Sequence, residues 1–442
     1  MSPYAVILCS TIALAAGAAP VHGQVSARPI DPELWDPAGQ WHRVGPPLET
    51  AGRTMTPKIE IFGTTPFLTF QDAGLECRGS AAVLAPSGLE WVYLGGPGQC
   101  SDHQDWWAHL AVGPNQTLYR ASYEYGLNPI DGGNGLNLRQ FLPGANLWTR
   151  LGTLPLSPGQ SHIPDVEVDS HGHVLISYQD GPDGGTPVPG DVTVQCVDAI
   201  TGEPRYLGPA GFSRDLVPEN GLRAWTTSLE ISSTDEVWAA WEQILEVDDK
   251  EVSRAAVARF DATSETWALV DSVGLGVEVW GAGMNLRLDR ADRPYLATFS
   301  YAQDSRGIGT MGVHVFRLDD SGQRFEQVGP PCGVEDHVMV SDEAGYREIC
   351  AFELDENDTP YVAYRAGAHG KKACVRRYDA DLNDWVPVGV LGFSPGEGVQ
   401  AEDDYISLAI SGGVPFVAFR HGCSSADACD PPVSSLEVWA FF

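Results

Sequence analysis

Trp41-His42-Arg43-Val44-Gly45 returns along the chain with its spacing kept: as Trp91-Val92-Tyr93-Leu94-Gly95, Trp148-Thr149-Arg150-Leu151-Gly152, Phe325-Glu326-Gln327-Val328-Gly329 and Trp385-Val386-Pro387-Val388-Gly389. A reduced copy is Arg205-Tyr206-Leu207-Gly208, and an elongated one runs from Trp267 to Val273-Gly274. Successive glycines lie 50, 57, 56, 66, 55 and 60 residues apart, a period too long for ankyrin or leucine-rich units.

Each interval holds a second phrase, a short strand closed by an aromatic residue. It is clearest at Pro66–Phe70, Pro294–Phe299, Pro360–Tyr364 and Pro415–Phe419, and looser at Val174–Tyr178 and Val237–Trp241. Proline is tolerated at a strand's first residue, where no ladder donor is lost. A third strand follows, as in Ala255–Asp261 and Ala373–Asp379. With one more strand ahead of these, every interval carries strands a, b, c and d, the Trp…Gly phrase being d. Four-stranded units at this period are propeller blades, which must stack because no blade buries both faces alone. After Gly389 the chain supplies a (Ile406–Ile410), b (Val414–Phe419) and c (Leu436–Phe442) but no d, whereas Trp41–Gly45 is a d with no a, b or c before it. The expected fold is all-β: a seven-bladed β-propeller of four-stranded blades over residues 38–442, closed by its N-terminal strand. Blade ends are expected near Gly95, Gly152, Gly208, Gly274, Gly329 and Gly389.

Two c–d turns, Arg259-Phe260-Asp261-Ala262-Thr263-Ser264-Glu265-Thr266-Trp267 and Arg377-Tyr378-Asp379-Ala380-Asp381-Leu382-Asn383-Asp384-Trp385, resemble the kelch hairpin, an aromatic-Asp pair followed by a short polar turn and Trp. The kelch Gly-Gly pair after strand b is missing. The turns also resemble the Asp-box of sialidase-type propellers, though the Ser and Gly of that box are absent and the spacing is one residue longer. These resemblances imply a propeller and no particular activity.

The 442 residues carry 59 acidic against 27 basic side chains, a net charge of −32, with 49 Gly and 32 Pro. At 43% hydrophobic the chain can bury a sizeable core, which excludes global disorder. So acidic a surface repels phosphate backbones and excludes nucleic acid as a partner. The apolar run 4–19 reads as the core of a secretory signal peptide, expected at 1–23, with a linker at 24–37. It is short for a membrane span, so the mature protein is expected to be a secreted (extracellular or periplasmic) monomer with no membrane insertion. Loss of Cys9 with the leader leaves eight cysteines. Expected disulfides are Cys77–Cys100, Cys332–Cys350 and Cys423–Cys429, with Cys196 and Cys374 free and buried. No Cys-x-x-Cys pair occurs, and neither metal nor cofactor is expected.

The d–a and b–c loops of a propeller project from one face. Here they gather Trp106, Trp107, Trp225 and Trp280, and the residue after strand b is polar in every blade, including Glu124, Gln179, Glu242, Arg365 and Arg420. Aromatic faces stack on sugar rings while polar groups hold hydroxyls, so this face is the expected ligand site. Arg365, Lys371, Lys372 and Arg420 form a basic cluster that suits a carboxylate or sulfate, the alternative being ion pairs to Glu335, Asp336 and Asp403. Catalytic candidates are His103, His162 and Tyr405 for a lyase and the Asp105/Glu124 pair for a glycosidase. No nucleophile elbow, phosphate loop or His-Glu-x-x-His motif is present. The expected function is a secreted binding protein for an extracellular glycan or protein. The alternatives are a propeller-fold polysaccharide lyase or glycosidase, and an extracellular scaffold.

Overall fold

The structure is a computed structural model describing residues 39–442 apart from 51, 115, 128–134, 153–155, 158–160, 182–189, 218–220, 278–282, 304–308, 337–349, 396–401 and 423–433. The expected leader and linker, Trp280 and the Cys423–Cys429 pair lie outside the described residues. Seven antiparallel sheets of four strands follow one another along the chain. Blade 1 is β2 (Thr54–Phe62), β3 (Thr65–Asp72), β4 (Arg78–Leu84) and β5 (Trp91–Tyr93), following β1 (Trp41–Arg43). Blade 2 is β6 (Asp105–Val112), β7 (Leu118–Glu124), β8 (Gly135–Leu142) and β9 (Leu147–Arg150). Blade 3 is β10 (Ser161–Val168), β11 (Val174–Asp180), β12 (Asp191–Val197) and β13 (Pro204–Tyr206). Blade 4 is β14 (Gly221–Ile231), β15 (Val237–Val247), β16 (Lys250–Asp261) and β17 (Thr266–Val277). Blade 5 is β18 (Met284–Leu288), β19 (Pro294–Gln303), β20 (Gly309–Leu318) and β21 (Phe325–Gln327). Blade 6 is β22 (Cys350–Leu354), β23 (Pro360–Ala366), β24 (Lys372–Asp379) and β25 (Asp384–Pro387). Blade 7 joins β26 (Glu402–Ser411), β27 (Val414–Gly422) and β28 (Ser434–Phe441) to β1, with Trp41 opposite Phe441 and Arg43 opposite Trp439. The N-terminal strand therefore closes the ring, as its orphan sequence requires.

The Trp…Gly phrase is a contact between blades. Each d-strand indole donates its Nε1–H to a carbonyl at the end of the preceding blade's d strand. Trp148 reaches Leu94 at 2.8 Å, Trp267 reaches Leu207 at 2.7 Å, Trp385 reaches Pro330 at 2.9 Å, Trp41 reaches Val388 at 2.9 Å and Trp91 reaches Pro46 at 3.0 Å. The glycine beside each acceptor is left-handed (Gly95 φ +82°, Gly208 φ +73°), and a Cβ there would stand 2.9 Å from the incoming indole. Glycine satisfies both demands at once. Two blades lack the indole, with Tyr206 in blade 3 and Phe325 in blade 5 at its place. Tyr206 of blade 3 is exposed, and Gly152 abuts Leu156 instead. Gly274 lies inside β17, which pairs on to Val277 opposite Val252, so the last strand of blade 4 runs three residues past its glycine.

A second set of links joins the a–b turns. Ser170 donates from N (2.9 Å) and Oγ (2.6 Å) to Asp235 of the next blade, Ser233 does the same to Asp292 (2.9 and 2.5 Å), and Arg290 N donates to Asp358 at 2.9 Å. The acceptors are left-handed, at φ 62°, 58° and 63°, a conformation Asp tolerates. Asp292→Ala is expected to lower stability by about 0.5–1.5 kcal/mol in denaturant unfolding, because these exposed bonds exchange with water. Asp292→Asn should lose less.

The expected bridges Cys77–Cys100 and Cys332–Cys350 are not formed; all four are free thiols, as are Cys196 and Cys374. Cys100 is committed to the apolar core with Leu94, Leu110 and Phe141, whereas Cys77 sits in a left-handed turn. Cys332 pairs its backbone with Val313 in blade 5, whereas Cys350 opens the innermost strand of blade 6. Burial pushes the Cys100 and Cys350 thiols up to about 12, far from thiolate reactivity.

Candidate functional site

The innermost strands β2, β6, β10, β14, β18, β22 and β26 surround a central cavity of ≈ 100 Å³. Five of them share an irregularity that no glycine announces. A bulge falls between Met55 and Lys58, Trp106 and His109, His162 and Asp165, Trp225 and Thr227, and Asp404 and Ser407. In each, one non-glycine residue is left-handed: Thr56 (φ 46°), Trp107 (43°), Ile163 (45°), Thr226 (34°) and Tyr405 (53°). Such a conformation costs roughly 1–2 kcal/mol per residue and persists only where the surroundings impose it. Bulges re-aim side chains, and here Trp107, Ile163, Trp225 and Thr226 line the cavity.

On one side an aromatic wall forms. Trp106 and Trp107 lie 5.8 Å apart, Trp107 stacks on Tyr123 at 5.6 Å, and Tyr125 flanks Tyr123 at 6.0 Å. His162 meets Tyr123 edge-on at 5.1 Å, and burial pulls its imidazole down to about 4, so it is neutral at pH 7. Tyr125 is exposed, Trp106, His162 and Trp225 are half-buried, and Trp107 is buried.

Across blades 6, 7 and 1, guanidiniums gather on Asp404. Arg420 reaches it at 2.5 Å and Arg365 at 3.6 Å, and Arg420 lies over the Tyr405 ring at 4.9 Å. Half-buried Arg53 adjoins this group; burial, and then the charge of Arg420, lower its pKa. Lys372 of the expected basic cluster and the neighbouring Arg376 and His421 are engaged within the protein. Lys372 donates to the Pro395 carbonyl at 2.6 Å, Arg376 pairs with Glu335 (2.7 Å) and Asp336 (2.9 Å), and His421 pairs with Asp403 (2.7 Å). The Lys371 carbonyl accepts from Asp403 N at 3.0 Å.

The polar residues that end the b strands do not form an open rim. Glu124, Gln179, Glu242, Arg365 and Arg420 are all buried. Gln179 donates to the Ala224 carbonyl of the next blade (2.9 Å), Glu242 accepts from Ser253 (2.8 Å) and Glu124 accepts from Asn137 (2.7 Å). Asp105 and Glu124 face each other in register but are fully buried, and Asp105 is bound to Arg120 at 2.6 Å. Burial pushes the Glu124 carboxyl up to about 7. Of the catalytic candidates, His162 is half-buried on β10 against Tyr123, His103 is exposed in the loop before β6, and Tyr405 is buried. Sequence reasoning missed Arg53, Tyr123 and Tyr125. The tyrosines carried a legible signal, since they flank the Glu124 that was singled out; Arg53 carried none. Among the described residues no group of three or more His, Cys, Asp and Glu is arranged to hold a metal ion.

No family model and no curated protein matches the sequence. Solved structures share the fold. An ulvan lyase from a new family of polysaccharide lyases aligns with TM-score 0.54 and 10% identity over 90% of this chain and 94% of its own. A puromycin-hydrolyzing peptidase of Mycobacterium tuberculosis aligns with TM-score 0.51 and 13% identity over 88% of this chain and 53% of its own. An α-L-arabinanase of Penicillium chrysogenum gives 0.43 and 12% over 76% and 92%. At such identities the likeness is one of fold alone, and the chain is a seven-bladed β-propeller.

Proposed function

We propose that this is a secreted protein that recognises an acidic polysaccharide across the mouth of the channel. The observation that carries this reading is the pairing of the accessible aromatics Trp106 and Tyr125, backed by buried Trp107 and Tyr123, with half-buried Arg53 beside the buried Arg365 and Arg420 on Asp404, in a chain whose net charge is −32. Aromatic faces take the C–H surfaces of sugar rings, and the cationic side favours a uronate or sulfate. Titration with uronate-containing and neutral oligosaccharides tests it. Acidic chains should bind more tightly and lose affinity with salt. Trp225→Ala or Tyr125→Ala should weaken binding about tenfold. Equal affinity for neutral chains, or no loss in either variant, would overturn the reading.

A second reading, cleavage by β-elimination, is favoured by neutral His162 and by the fold shared with an ulvan lyase. His162 would take the proton beside the uronate carboxyl, whose charge the guanidiniums offset; the C–H electron pair would form the C=C bond, and the glycosidic C–O bond would break with its oxygen taking a proton from water, leaving one chain end as a hydroxyl and the other as an unsaturated uronate. Mass spectrometry of the digest decides it. His162→Ala should abolish the unsaturated product while binding survives; product from the variant would remove His162 from that role.

A further inference from the structure

The far end of the channel, toward the a–b turns, has chemistry of its own. In every blade one strand-a residue pairs with the second residue of strand b or its equivalent: Glu60 with Phe67, Ala111 with Tyr119, Glu167 with Leu175, Glu230 with Trp238, Arg287 with Tyr295, Glu353 with Tyr361 and Ala409 with Phe416. These seven positions form one level of the channel and hold four glutamates and one arginine. Arg287 grips Glu353 through Nε (2.8 Å) and Nη2 (2.5 Å), and Glu230 through Nη1 (2.9 Å). Its charge is spent on those two. Among the described residues no ion pair reaches Glu60 or Glu167, which are half-buried on blades 1 and 3.

The groups facing them offer little relief. Glu60 faces Glu353, Asp165 and Glu230 with Arg287, and Glu167 faces Glu230, Asp165 and Glu60 with Arg287. One level up, His109 is held by Asp165 at 2.7 Å, and Lys58 stands on blade 1. We infer that this ring is a proton-retaining floor: with one guanidinium for four carboxylates, Glu60 and Glu167 carry protons in the folded protein near neutral pH, and losing them loosens the ring. Like charges at close quarters in a narrow channel cannot all ionise. Burial and the neighbouring carboxylates push Glu60 up to about 8 and raise Glu167 well above the usual carboxylate range; burial also pushes Glu230 up to about 8 despite its bond to Arg287.

The linkage has a definite sign. Between the ordinary glutamate value and the raised one, the folded state binds more protons than the unfolded state, so stability falls as pH rises through that window. Thermal unfolding of the full chain from about pH 5 to about pH 9 should show the melting temperature dropping by roughly 5 °C or more. The Glu60→Gln/Glu167→Gln variant should lose the part of that slope that Glu124 and Glu230 do not supply and melt above the wild type at the alkaline end. A variant that keeps the wild-type slope, or melts lower at alkaline pH, overturns the inference. A second measurement needs no variant. Carbon NMR of glutamate-labelled wild type should show Glu60 and Glu167 titrating in the neutral-to-alkaline range, together with Glu230 of the same ring and Glu124, and completion of the Glu60 and Glu167 titrations below about pH 6 would refute it.

Discussion

Arg120→Met is expected to destabilise the protein by about 3–5 kcal/mol, the range for stripping one partner from a buried ion pair. Arg120 and Asp105 are each about 1% exposed, with Nη1 2.6 Å from the carboxylate. The guanidinium also donates from Nε to Thr69 of blade 1 at 2.7 Å, so one side chain fastens two blades. Burial already pushes the Asp105 carboxyl up, against the pull of Arg120. Without Arg120 that carboxyl should rise further and hold its proton into the neutral range. A carboxyl raised on folding lowers stability as pH climbs above its unfolded value, so the loss should be larger at alkaline than at mildly acidic pH. Denaturant unfolding of Arg120→Met at two pH values measures both effects. Adding Asp105→Asn should recover part of the loss, since the unpaired charge is then gone.

Trp267→Ala should cost a similar amount, about 3–5 kcal/mol. The indole is 6% exposed and stacks on Phe212 at 4.3 Å. It also donates to Leu207 across the blade boundary. Trp267→Phe keeps most of the packing and forfeits the hydrogen bond, so it should lose far less. The complementary change is Gly208→Ala. It places a methyl group 2.9 Å from the same indole at φ +73°, and should cost about 1–3 kcal/mol. Calorimetric melting of the three variants separates the contributions, because only the first opens a cavity.

These two experiments also show why the architecture was legible. Trp267 and Gly208 lie in different blades, yet each constrains the other, so the contact leaves a mark at a fixed period in the sequence. The orphan d phrase at Trp41 and the missing d after Phe442 state the closure in the same way. At Gly274 the phrase is less exact, because β16 and β17 outrun the repeat and the glycine falls three residues before the end of its strand.

The site was legible in part. Trp106, Trp107, Trp225 and His162 read as loop residues in the sequence but belong to strands β6, β10 and β14, and of the four Trp107 and Trp225 line the central cavity. The bulge that aims them was invisible, because Thr56, Trp107, Ile163, Thr226 and Tyr405 are not residues that advertise a left-handed backbone. The residues that end the b strands look like a polar rim when read one blade at a time. Their burial follows from the neighbouring blade: Gln179 spends its donor on Ala224. Counting cysteines suggested bridges because an even number is compatible with pairing, whereas a small apolar thiol also serves simply as core filling, as Cys100 does.

The central claim is that the channel mouth holds an acidic sugar between the aromatic wall and the guanidinium side. The most direct test is a crystal structure of the protein with a uronate-containing oligosaccharide. A sugar ring packed on the Trp106–Tyr125 wall, with its carboxylate turned toward Arg53, is the expected result. An oligosaccharide seated on the outer strands or on the a–b turn face, with the mouth vacant, would contradict it.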